Sequence, residues 1–153
     1  MRLTRSVILL CALHFPATVF SQEAGRVSPA RPSLPNPVLV FIGSEEYEAS
    51  GKQWTRYTFS VDNLAAYPND LFAAAPELPP CGNNTKASRT WVDFYEQGGK
   101  RIYGFCALDS REGLGRLWFA LERGVIPPSW VYIEMTDRKT NSKYKSNLAE
   151  TTL

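Results

Sequence analysis

Histidine is nearly missing from this chain. Of 153 residues one is histidine, His14, and it lies just after an apolar run, within the N-terminal stretch 1–21. If that stretch is removed, as argued below, no imidazole remains. Ser-His-Asp and Cys-His nucleophilic mechanisms are then excluded, as are the commonest zinc sites. Cysteine is scarce as well. There are three, Cys11, Cys81 and Cys106. Without Cys11 a four-cysteine metal site is impossible, and no Cys-x-x-Cys spacing lowers a thiol pKa for redox work. The chain has no Gly-x-x-x-x-Gly-Lys phosphate loop and no dinucleotide fingerprint. Gly113-Leu114-Gly115-Arg116 reads as a turn. No apolar run is long enough to span a bilayer. The expectation is a protein with no catalytic residues, no cofactor and no metal.

The N-terminus reads as a secretory signal. Arg2 and Arg5 precede an apolar run at 7–13, Pro16 breaks it, and Val19 and Ser21 suit a cleavage after Ser21. Cys11 lies inside the apolar run, where a lipoprotein cysteine would not. Residues 1–21 are therefore expected to be a signal peptide, which makes the protein secreted or periplasmic, with no membrane span after cleavage. The 17 basic residues less Arg2 and Arg5 equal the 15 acidic ones, so the mature chain is formally neutral. It carries no electrostatic footprint for nucleic acid and no polybasic membrane patch. Residues 22–36, with Pro29, Pro32 and Pro35, form a Pro-rich linker of extended type. The folded domain is expected over 37–150.

In an oxidising compartment the remaining pair, Cys81 and Cys106, is expected to form a disulfide. Its loop of about 26 residues would stabilise the fold by roughly 3–4 kcal/mol. The alternative is two buried thiols.

The domain itself is rich in alternating runs. The strongest are two aromatic runs at 90–96 and 101–107 around Gly98-Gly99, which predict a β-hairpin. A β-branched run at 38–42 predicts a first strand. Residues 45–52 read as a polar turn, in which Glu45, Glu46 and Glu48 lack the spacing of a calcium loop. Residues 54–63 alternate, with Tyr57, Phe59 and Val61 on one face. Residues 117–121 and 130–136 alternate again, and 143–148 predict an edge strand with outward lysines. Between them, 64–82 is long and proline-punctuated, with one strand or helical turn at 70–75. Asn83-Asn84-Thr85 matches a glycosylation sequon, and also the Asn-rich chemistry of a turn. Seven or eight short strands and no convincing helix predict an all-β fold, an antiparallel sandwich of immunoglobulin-like type.

Tyr57-Thr-Phe59-Ser-Val61-Asp-Asn63 resembles the Tyr-x-hydrophobic-x-Val-x-Asn strand of fibronectin type III and related immunoglobulin-like domains. The proline-rich 64–82 stretch departs from that family. The chain also resembles small secreted bacterial proteins with an immunoglobulin-like sandwich. That resemblance implies a fold and export, and it implies no activity.

The functional expectation rests on aromatics. If Leu117, Phe119, Leu121, Val131, Ile133 and Met135 face the core, then Trp118, Trp130 and Tyr132 face outward. Trp91 and Tyr95, on the Asp93 side of their strand, do the same. Grouped outward Trp and Tyr mark binding surfaces, unless the 64–82 loop or a second layer covers them. The expectation is an exported, non-enzymatic binding domain. Its aromatic sheet face, or the Cys81-anchored loop, would meet a protein or an envelope glycan. A His-free hydrolase or lyase is the alternative, and needs two of Asp93, Asp109, Glu112 and Glu134 in one cleft. An exported inhibitor with 64–82 as a protruding loop is a third.

Overall fold

A computed structural model of the chain describes residues 33–80, 88–106 and 110–152. Eight strands run in the order β1 (Leu39–Ala49), β2 (Lys52–Val61), β3 (Thr90–Glu96), β4 (Arg101–Cys106), β5 (Leu117–Glu122), β6 (Trp130–Asp137), β7 (Ser142–Lys145) and β8 (Ala149–Glu150). They form two antiparallel sheets. One has the order β1-β2-β5; the other has the order β4-β3-β6-β7, with β8 also paired to β6. The expected all-β architecture is what the chain adopts. Among the described residues the only helical turns are short 3-10 segments at Leu64–Ala66, Asn69–Phe72 and Arg111–Arg116. No helix among them is long and apolar enough to cross a membrane.

Alternation builds the core. Tyr57, Phe59 and Val61 of β2 and Leu117 and Phe119 of β5 point from one sheet; Val92, Phe94, Val131, Ile133 and Met135 point from the other. The sheets meet through aromatic rings. Phe94 lies 5.4 Å from Phe59 and 5.3 Å from Phe119, the latter edge-on, and Phe59 and Phe119 stack at 5.8 Å. Such pairs add about 0.5–1.5 kcal/mol each beyond the area they bury.

The long β2–β3 connection seals one side of this core. Tyr67, Leu71, Phe72 and Ala75 are buried, and an isolated bridge joins Ala74 to Ser88. Residues 64–75 thus pack into the core and do not protrude. Burial pushes the Tyr67 phenol up to about 12, and its hydroxyl donates to the Pro35 carbonyl at 2.8 Å. Leu34 also packs against the core. The compact unit accordingly runs Ser33–Leu153, so the expected linker gives way to the domain several residues before position 37. Residues 1–32, where the signal peptide and most of the linker were expected, lie outside the described residues.

Three expectations need correction. Residues 45–49 are not a turn. They continue β1 past a bulge between Phe41 and Gly43, in register with β2 as far as Ala49 opposite Lys52. Their side chains are polar on both faces, and cross-strand pairs hold them: Glu45 with Arg56 at 3.0 Å and Gln53 with Glu48 at 3.1 Å. The turn is Ser50-Gly51, with φ of 54° and 72°, the left-handed pair that a two-residue hairpin loop requires. Residues 143–148 are not one strand. β7 and β8 flank different halves of β6, and the chain kinks between them at Ser146-Asn147. Asn147 uses the kink to reach the other sheet. Its amide accepts from the Leu39 N–H at 2.7 Å and donates to the Leu39 carbonyl at 3.0 Å. Finally, Asp137 is no turn residue but the buried end of β6, gripped by Arg89 through two hydrogen bonds at 2.9 and 2.7 Å.

Candidate functional site

The five aromatic residues picked out by alternation do lie on the outer sides of their strands, but they do not form one surface. Trp91, Tyr95, Trp130 and Tyr132 belong to the five-stranded sheet, and Trp118 to the three-stranded one. The outer side of the five-stranded sheet is largely covered by its own side chains. Tyr132 is only 8% exposed. Tyr95 stacks on it at 5.2 Å, and the Lys145 ammonium sits 4.0 Å from its ring centre. The Arg101 guanidinium lies 5.5 Å over Trp91. Burial, foremost, raises the Tyr95 phenol above its ordinary pKa. Trp130, at the start of β6, stays 38% exposed. The expected open aromatic face is therefore corrected on this sheet: cationic heads sit over the rings of Trp91 and Tyr132.

The carboxylates are also accounted for. Asp93 and Glu134 sit directly opposite each other on β3 and β6. Each has its own cation: Arg101 Nε bonds Asp93 at 2.5 Å, and Lys143 Nζ bonds Glu134 at 2.7 Å. That hydrogen bond raises the pKa of Lys143. Gly104, on β4 directly opposite Asp93 of β3, makes room for the first pair; a Cβ there would overlap both Arg101 Nη2 and Asp93 Oδ1. Glu112 lies elsewhere, on the 3-10 turn before β5, beside Arg111. Asp109 is outside the described residues, as is Cys81. Cys106 ends β4, where its sulfur lies 3.9 Å from Arg138 Nη1.

A concave surface lies on the outer side of the three-stranded sheet. Cross-strand register puts Val40 beside Ser60, Gly43 beside Thr58, and Thr58 beside Trp118; the next row holds Glu45, Arg56 and Ala120. Small side chains in the middle and large ones at the sides leave a groove of about 630 Å³. Gly43, Thr58 and Ser60 line its floor, Ile42 and Trp118 its walls, and Arg116 its lip. A Cβ on Gly43 would meet nothing within 4 Å, which shows how open the middle is. A smaller hollow of about 210 Å³ lies against Tyr103, Phe105, Arg116 and Trp118, so Arg116 and Trp118 line both.

Trp118 is held by a column of flat groups. Arg56 lies 4.8 Å over the Tyr47 ring and 4.9 Å over Trp118, and Tyr103 of β4 stacks on Trp118 at 6.3 Å. Glu45 bonds Arg56 from β1 at 3.0 Å. The indole is fixed in place but remains 40% exposed. Arg116 differs from Arg56: it is exposed, and among the described residues no carboxylate pairs with it. Sequence reasoning found Trp118 and missed Arg56, Arg116 and Tyr103. Parity could have found the first two, since positions 56, 58 and 60 alternate against Tyr57, Phe59 and Val61, and 116 has the parity of 118. Nothing in the sequence joins Tyr103 to Trp118, because their strands belong to different sheets.

Comparison of the chain with protein families, with curated proteins and with solved structures gives no match.

Proposed function

We propose that this is an exported, non-enzymatic binding module with an immunoglobulin-like sandwich, and that its ligand lies in the groove over β1, β2 and β5. The observation that carries this reading is the groove itself: about 630 Å³, within the range of ligand sites, with a fixed, exposed Trp118 on one wall and Arg116 at the lip. Trp and Tyr suit such a place because they offer apolar area with a polar tip. The strand order supports the fold assignment. In an immunoglobulin frame, strands A, B and E share one sheet and C, F and G the other. Here β1, β2 and β5 take the first set, β3, β6 and β7 the second, and β4 lies beside β3. The basic, apolar and small-residue pattern of residues 1–21 supports export to the periplasm or the exterior. Export in turn supports a Cys81–Cys106 disulfide.

The test is capture. The protein is immobilised and exposed to envelope extract and to insoluble polysaccharides, alongside Trp118→Ala and Ser60→Tyr. The first variant removes a wall; the second fills the groove from its floor. A ligand held by the wild type and lost by both variants, at unchanged melting temperature, is the expected result. A ligand that both variants keep would place binding elsewhere.

A further inference from the structure

Resting on the groove as the binding site, we infer that it takes a carboxylate-bearing polysaccharide, with Arg116 as the residue that selects the acidic sugar. The groove is lined for saccharide chemistry. Its floor carries the hydroxyls of Thr58 and Ser60, each able to donate one hydrogen bond and accept others. Its walls, Ile42 and the exposed edge of the Trp118 indole, offer apolar area against which the C–H groups of a sugar can lie. The groove lies on a sheet face and is open to solvent, so a segment of a polymer can lie in it.

The charges narrow the class. Arg56 is already committed, paired to Glu45 and enclosed by Tyr47 and Trp118. Arg116 has no such partner among the described residues, and it stands at the lip beside Trp118. A guanidinium matches a carboxylate in plane, with two parallel N–H···O bonds. One uncommitted guanidinium fits one carboxylate for each sugar unit that reaches the lip. Other polymers fit less well. A peptide adding as a strand needs an open sheet edge; it would pair with the outer edge of β1 or β5, away from the Thr58 and Ser60 hydroxyls of β2, which is bonded on both sides. A nucleic acid needs a track of cations, and this groove holds Glu45 beside its two arginines.

Polygalacturonate and the same polymer after full methyl esterification share a backbone and differ in charge. Binding of each to the full chain is measured by affinity electrophoresis or calorimetry, with Arg116→Gln and Ser60→Tyr alongside. The expected result is that the acidic polymer binds at least about tenfold more tightly than its ester, as a charge-assisted bidentate bond would give. Arg116→Gln should abolish that preference while keeping residual binding of both, and Ser60→Tyr should abolish binding altogether. Equal binding of acid and ester, or a preference unchanged by Arg116→Gln, overturns the acidic class and leaves the groove as a site. If neither polymer binds, the polysaccharide inference fails. The capture experiment then decides separately whether a Ser60→Tyr-sensitive ligand of another kind exists.

Discussion

Asp137 is 3% exposed and yet ionised, because Arg89, itself nearly buried, holds both its oxygens. Thr140 and the Lys139 N–H add to the grip, and the carboxyl is pushed down to about 2 against an ordinary 3.8. Since the folded value is the lower one, the pair stabilises the protein fully above about pH 4 and loses that contribution as pH falls towards 2. The difference corresponds to roughly 2 kcal/mol. Asp137→Asn should cost about 3 kcal/mol at neutral pH, because Arg89 is left buried with only the exposed Asp70 for company. Urea titrations of both proteins from pH 7 to pH 2 should show the gap closing at the acid end; a constant gap would mean that the pair is not what Asp137 contributes. Gly104 makes a second case at this scale. Gly104→Ala should cost about 1–3 kcal/mol by overpacking, because the Asp93–Arg101 pair occupies the space of the added methyl. Adding Asp93→Ala should recover part of that loss. Strictly additive effects in the double variant would show that the crowding lies elsewhere.

The β1–β2 hairpin turns through two left-handed residues, of which only Gly51 adopts that conformation freely. Ser50→Asn supplies the residue such turns favour, and should raise stability by roughly half a kcal/mol, visible as a higher midpoint in urea at an unchanged slope. This hairpin also marks where the sequence becomes hard to read. β2 is legible because one side is apolar and the other polar, and β5 and β6 because aliphatic and aromatic positions recur at every second residue, so parity alone orients Phe59, Phe119 and Ile133. The outer half of β1 has no such contrast. Glu45, Glu46, Tyr47 and Glu48 are solvated or half-solvated on both sides, and β2 alone keeps them extended. The kink at Ser146-Asn147 is hidden for a similar reason. Its cause is a side chain answering the backbone of Leu39, more than a hundred residues away.

At the scale of the molecule, the pairing of sheets decides what the outward aromatics can do. Parity correctly turns Trp118 and Tyr132 away from the core. It cannot tell that one stands over a groove and the other beneath Lys145, since that depends on which sheet each strand joins. Arg56 follows the same rule: its position on β2 is legible, and its stacking against Tyr47 and Trp118 of neighbouring strands is not. The Asn147 contact with Leu39 acts at this scale too, and its consequence is mechanical. Tension applied between residues 33 and 152 enters along β1 at one end and, at the other, through β8 and then the Ser146-Asn147 kink. The two hydrogen bonds of one amide lie side by side across that path, so they bear force together instead of opening one after another. In single-molecule extension the wild type should give way in one abrupt step, and Asn147→Ala should yield at lower force with β1 peeling first. Equal rupture forces would show that the amide carries none of the load. A domain fastened in this way can be tugged by its ends while the groove over β2 keeps its shape.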